Sequence, residues 1–129
     1  MRILLDTHIW LWGLYDASRI RKRLAQELRN PKNELWLSPI STWEALLLQE
    51  KGRLWFLGSA QDWISEAVAP FREAPLTHEI AMEARAVVLA HRDPADRFIA
   101  ATAKVLGLTL ATADTKLLGL GDIATLANR

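Results

Sequence analysis

Apolar and polar positions along this chain fall into two rhythms. Short, nearly continuous apolar runs, "RILLD", "ELWLS" and "LTLAT", each stop at a polar or acidic residue, as strands buried on both faces do. Between them, apolar residues recur three and four apart, the spacing of a helix with one face on a core. "THIWLWGLY" predicts a helical turn or two with Thr7 near its start. "SRIRKRLAQELRN" predicts a helix capped by Ser18, with Ile20, Leu24 and Leu28 on one stripe. Ser38 followed by Pro39 opens a helix that runs to about Lys51, where Gly52 ends it. "SAQDWISEAVA" is amphipathic, with Trp63, Ala67 and Val68 opposite Asp62 and Glu66. "FREAPL" reads as a short third strand, and "THEIAMEARAVVLAHR" as a long helix capped by Thr77. Asp93 caps a further helix, with Pro94 at its first position and Gly107 at its stop. "LTLAT" is the fourth strand and "IATLA" a fifth at the edge. Strands alternating with helices predict one α/β domain over residues 1–129, a central parallel sheet of four or five strands flanked by helices on both faces.

A chain of 129 residues is enough for one core. Its formal net charge of +1 selects neither nucleic acid nor membrane, so any preference for an anionic partner must come from local patches. The absence of cysteine excludes a disulfide framework, thiolate zinc sites and a cysteine nucleophile. His8, His78 and His91 are the only histidines and lie far apart, which argues against a histidine-rich metal site. Asp6 interrupts the N-terminal apolar run before a signal-peptide pattern develops, and no apolar stretch is long enough to span a bilayer. A cytoplasmic protein with no membrane partner is the expectation. The tryptophans, Trp10, Trp12, Trp36, Trp43, Trp55 and Trp63, all fall in the first half and read as core packing plus a residue or two at a contact surface.

The acids bring chemistry into the picture. In a parallel sheet of this kind the ligand site lies outside the carboxyl ends of the strands. Asp6 ends the first strand, Asp114 follows the fourth, and Asp96 sits in the first turn of the helix between them. Each has an ordinary structural reading too: Asp93 is a good N-cap, Asp96 faces the positive end of its helix dipole, and Asp114 can cap "TKLLGL". Asp6 is harder to explain so, because "ILLD" carries a carboxylate directly out of a buried strand. Glu44 falls on the inward stripe of its helix with Ile40, Trp43 and Leu47, and no Lys or Arg lies three or four residues away. Left unpaired there, it costs on the order of several kcal/mol. Carboxylates that converge repel one another. A shared divalent cation relieves the repulsion, and hard oxygen ligands suit Mg²⁺ or Mn²⁺. Such an ion lowers the pKa of a bound water and stabilises charge on a phosphoryl oxygen, which leads to metal-assisted hydrolysis of a phosphodiester.

The segments "ILLDTHIWLW", "LSPISTWEA", "DPADRFIAATA" and "LTLATAD", in that order and covering nearly the whole chain, resemble a PIN domain of the VapC type, the toxin ribonuclease of a type II toxin–antitoxin system. The resemblance implies a Mg²⁺- or Mn²⁺-dependent endoribonuclease. By position it assigns Asp6, Glu44, Asp96 and Asp114 as catalytic, metal-holding acids. Asp93, one helical turn before Asp96, has a capping role first, with Thr112, Thr7 and Arg97 as supporting residues. Thr112 matches the hydroxyl residue that precedes the last acid, and Thr7 is a hydroxyl beside Asp6. The chain departs from the family after "STWE", where relatives often carry a basic residue and this sequence reads "ALLLQEK". That departure touches substrate contacts more than the metal site.

RNA, tRNA or another structured RNA among the possibilities, must be held as well as cut. Arg19, Arg21, Lys22 and Arg23 form a basic cluster that reads equally well as a solvated helix face, and Arg92 and Arg97 bracket the acids. His91 is placed to approach substrate or simply to end a helix, and His8 is expected to pack or cap. The resemblance also implies a cognate antitoxin that covers the acidic edge and a homodimer, with Trp10, Trp12, Trp36 and Trp55 as candidates for the apolar contact. A catalytically silent PIN-like module that binds an antitoxin or RNA is the alternative. A phosphatase or receiver on a similar sheet is disfavoured, because His8 stands where a second Asp is wanted and "LTLATAD" offers no lysine directly after its strand.

Overall fold

Ile3 and Leu5 face one side of a sheet and Leu4 the other, and all three are buried, so the first strand, β1 (Arg2–Leu5), is covered on both faces. The computed structural model describes residues 1–89 and 93–129. Along the chain, β1 is followed by α1 (Thr7–Tyr15), a 3₁₀ turn (Ala17–Arg19), α2 (Lys22–Arg29), β2 (Glu34–Leu37), α3 (Pro39–Glu50) and α4 (Ala60–Ala67). Then come β3 (Arg72–Glu73), α5 (His78–Ala86), α6 (Pro94–Leu106), β4 (Thr109–Thr112), α7 (Thr115–Leu118) and β5 (Thr125–Ala127). The five strands form one sheet in the order β3-β2-β1-β4-β5, and every pairing is parallel.

From β1 the chain winds outward through β2 and β3, then returns to the other side of β1 for β4 and β5. The winding reverses between β1 and β4, and in open parallel sheets a crevice forms at the carboxyl ends of such a pair. One face of the sheet packs Ile3, Leu5 and Ala111 against Ile9, Trp10, Leu24 and Ala45. The other packs Leu4 and Leu110 against Ile99, Ala100, Ala103 and Leu117, and α5 lies on α6 through Ile80, Ala84 and Ala101. Burying each large apolar side chain of this kind contributes about 1.5–3 kcal/mol. The helix starts follow the expected local chemistry. Ser38 Oγ accepts from the Ile40 N–H at 3.1 Å, Thr77 Oγ1 from Ile80 at 3.2 Å and Asp93 Oδ1 from Ala95 at 3.0 Å. Gly107 closes α6 at φ +64°, a left-handed conformation that an L side chain rarely adopts.

Several expectations are corrected by long-range contacts. Ser18 does not cap α2: it sits in the 3₁₀ turn and its hydroxyl donates to Asp16 Oδ1 at 2.8 Å. The helix begins only at Lys22, and the main-chain oxygen of Arg129 accepts from the amides of Arg23 and Leu24 at 3.0 and 3.2 Å, so the cap comes from the far end of the chain. The long helix expected from Thr77 onward stops at Ala86, where Val87 turns extended and its carbonyl accepts from Arg97 Nη1 at 3.0 Å. "FREAPL" contributes only Arg72 and Glu73 to the sheet. Trp43 does not share an inward stripe with Glu44; it is 53% exposed. Trp10 is no candidate for a contact with another chain, being 1% exposed and donating through Nε1 to the Ala67 carbonyl. Among the described residues no helix is long and apolar enough to cross a membrane.

Candidate active site

The ladder between β1 and β4 runs one residue past the strand: the Asp6 N–H donates to the Ala111 carbonyl at 2.9 Å. That bond fixes the Asp6 backbone at the mouth of the crevice just as α1 begins, and its side chain is 5% exposed. From the neighbouring strand, Thr112 Oγ1 donates to Asp6 Oδ2 at 2.7 Å and accepts from the Asp114 N–H at 3.0 Å. One buried hydroxyl therefore holds the carboxylate of one acid and the backbone of another. Asp114 in turn caps α7, its Oδ1 accepting from the Lys116 N–H at 2.9 Å.

The helical acids approach from the other side. Asp93 is the N-cap of α6 and Asp96 lies in its first turn. Asp6, Asp93, Asp96 and Asp114 line one cavity of about 250 Å³, together with His8 and Trp12. Glu44 is not on that wall. It stands half-buried on α3, where it accepts a hydrogen bond from the Thr7 hydroxyl. With its proton given to Glu44, Thr7 Oγ1 accepts from Ser41 Oγ at 2.8 Å, so a short relay of hydroxyls orients the carboxylate.

The charges are coupled. Burial, then repulsion from Asp6, Asp93, Glu44 and Asp114, pushes the Asp96 carboxyl up to about 7. Burial also raises Asp6, against the opposing pull of the Thr112 hydrogen bond and of His8, and Asp114 adds to the rise. Glu44 is raised by burial, opposed by its bond from Thr7, and raised again by Asp93 and Asp6. Glu44 thus belongs to the same electrostatic group although it does not line the cavity. In composition and charge, a donor set of Asp6, Asp96 and Asp114 fits a hard divalent cation. Among the described residues, no three His, Asp or Glu side chains close around one point, so holding an ion requires the carboxylates to turn inward.

The supporting residues divide. Asp93 does cap, as expected, and lies on the acidic wall as well. Thr112 and Thr7 both touch acids. Arg97, expected beside substrate, has Nη1 on the Val87 carbonyl, where it braces the end of α5 against α6. His91 and Arg92 lie outside the described residues. Two residues on the cavity wall were not anticipated there. His8 is no core or capping residue; it is exposed at the cavity, with the ring of Trp12, one helical turn on, beside it at 6.2 Å between ring centres. The signal was present in the spacing, since residues four apart on a helix starting directly after Asp6 share the face that leaves the strand.

A family model described as PIN domain matches residues 3–122. Ribonuclease VapC22 of Mycobacterium tuberculosis is 30% identical over 116 residues, covering 89% of this chain and 88% of that protein. Among solved structures, FitAcB from Neisseria gonorrhoeae superposes with a TM-score of 0.67 at 26% identity, over 98% of this chain and 97% of that one. A toxin–antitoxin complex from Klebsiella pneumoniae superposes with a TM-score of 0.69 at 20% identity, over 98% of both chains, a likeness of fold alone.

Proposed function

Since the chain belongs to the PIN domain family, we propose that it is a Mg²⁺- or Mn²⁺-dependent endoribonuclease, the toxin of a toxin–antitoxin pair, acting in the cytoplasm. The observation that carries this reading is the convergence of Asp6, Asp93, Asp96 and Asp114 on one cavity at the carboxyl ends of β1 and β4. The name of the Mycobacterium tuberculosis relative, a ribonuclease, supports the same reaction class.

In this reading Asp6, Asp96 and Asp114 hold the cation and Glu44 completes the acidic set. The bound cation would supply an acidified water and charge stabilisation at a phosphoryl oxygen. The chain's own contribution is positional. Thr112 keeps Asp6 Oδ2 in place and ties the Asp114 backbone to it, while Thr7, backed by Ser41, aims Glu44. The raised Asp96 carboxyl exchanges its proton near neutrality, so loading the site and releasing a proton are linked. A cognate antitoxin covers the acidic edge, in keeping with the toxin–antitoxin complex among the structural neighbours. The chain works as a homodimer, and of the tryptophans named for that contact Trp55 is exposed and Trp12 and Trp36 are partly so.

The test is cleavage of a mixed RNA pool by the purified chain, titrated with Mg²⁺ and Mn²⁺, beside Asp6→Asn. Metal-dependent products from the wild type and none from the variant, with unchanged circular dichroism, are expected. RNA binding without any product under either metal would instead identify a silent binding module.

A further inference from the structure

A second cavity, of about 760 Å³, has walls of the opposite charge: Trp12, Arg19, Arg21, Lys22, Asn128 and Arg129. Trp12 lines this cavity and the acidic one, so the two adjoin across a single indole. The Arg19 guanidinium lies over that ring, 4.2 Å from its centre. Such stacking restrains a long side chain before any ligand arrives, which lowers the entropy lost on binding. Among the described residues none of these four cations forms an ion pair with a carboxylate. Asp16, in the same turn, accepts from Ser18 instead. The amides at the start of α2 are taken by the Arg129 main-chain oxygen, so attraction for an anion here rests on the side chains.

The basic surface is also wired to the acids. The Asn128 N–H donates to the Thr112 carbonyl at 3.1 Å, beside the hydroxyl that holds Asp6. Its side chain then brackets the basic turn, Oδ1 accepting from the Arg21 N–H at 2.8 Å and Nδ2 donating to the Arg19 carbonyl at 2.9 Å. One residue therefore sets the position of the cations relative to the carboxylates.

We infer that this basic shelf seats the phosphodiester backbone of the single-stranded RNA segment flanking the bond to be cut, with Asn128 as the residue that positions it. The inference rests on the nuclease reading and extends it to a substrate path. A polyanion that must reach a negatively lined cleft needs cations on the approach to hold it there, and four are placed across Trp12 from the acids. A carboxylate-rich peptide finds the same cations but no reason to continue into the cleft.

The experiment measures binding of a labelled single-stranded RNA pool by anisotropy, in an Asp96→Asn background, and cleavage kinetics with Mn²⁺ in the otherwise native chain. Arg21→Ala with Lys22→Ala is expected to weaken binding about tenfold. It should also flatten the log–log salt dependence by about 1.4, two phosphate contacts at ~0.7 each, with the cleavage defect appearing in KM. Asn128→Ala removes no charge yet should raise KM about threefold and reduce the salt slope; a merely structural residue would lower Tm and leave that slope alone. Lys51→Ala with Arg53→Ala removes the same charge elsewhere and should leave the slope unchanged. Unmoved binding in the shelf variants, or an equal change in the Lys51 and Arg53 control, overturns the inference. So does a polyglutamate peptide that binds the native chain as tightly as RNA while the shelf variants bind RNA normally, an outcome that assigns the surface to a protein partner. Intact cleavage with no shelf dependence removes only the shelf. Shelf-dependent binding with no cleavage by the native chain removes the nuclease and leaves the shelf.

Discussion

At its C-terminal end α6 presents Lys104 to Glu83 at 2.6 Å and to Asp122 at 2.9 Å; at its N-terminal end it presents Asp96 to Asp6, Asp93, Glu44 and Asp114. The same kind of carboxyl group responds in opposite directions. Lys104, through its hydrogen bond and its charge, holds Asp122 below the usual carboxylate range in open solvent. Burial and the neighbouring acids push Asp96 up to about 7. The first cluster is an arrangement that any solvated surface tolerates. The second opposes folding and lies where the winding of the sheet reverses, the kind of perturbed cluster that the proposed active site calls for.

Asp96→Asn sharpens the contrast most. Cleavage should fall by about a thousandfold or more, several kcal/mol of transition-state stabilisation, whereas the metal-free protein should melt higher at pH 8 by about 3 °C or more, because a repelled charge is gone. A variant that is both inactive and less stable would remove the electrostatic reading of this end of α6. Thr112→Val keeps the shape but removes the hydroxyl donor from Asp6 Oδ2. A loss of about 1–3 kcal/mol in denaturant unfolding and about a tenfold drop in kcat/KM are expected; full retention of both would show that the hydroxyl positions nothing.

The pH dependence has a defined sign. Carboxyls of the unfolded chain titrate near 4, while native Asp6, Glu44 and Asp96 take up their protons at higher pH, Asp96 at about 7. Between about pH 4 and 7 these groups bind more protons in the native state than in the unfolded one, so their contribution to metal-free stability falls as pH rises through that window. Melting curves of wild type and Asp96→Asn at pH 5 and pH 8 should therefore converge at the lower pH and separate by a few degrees at the higher one. Saturating Mg²⁺ should restore part of the wild-type deficit at pH 8. Lys104→Ala, at the other end, should shift Tm by no more than about 1–2 °C and leave cleavage unchanged.

What could be read from the chain alone was what local chemistry decides. Ser38 before Pro39, Thr77, Asp93 before Pro94, and Gly107 mark helix ends by bonds made within a few residues, and each is where it was expected. Asp6 was legible because a carboxylate leaving a buried run has few uses. The remainder was decided at long range. Ser18 lost its capping role because Asn128 and Arg129 meet the start of α2 from the far end of the chain. The helix after Thr77 ended early where Arg97 captured the Val87 carbonyl. Trp10 and Trp43 separated into buried and exposed only when α1 packed on the sheet and α3 turned the Trp43 indole outward. His8 needed the whole crevice before it became part of a wall.

The pairing of β1 with β4 joins residues more than a hundred positions apart, Leu5 opposite Ala111. Asp6 therefore has no Thr112 to hold it and no Asp114 across from it until β1 has found β4. Closing so long a loop is also a late step in refolding. The acidic cleft thus exists only where two distant strands meet, and a copy in which that pairing has come apart has no cleft at all.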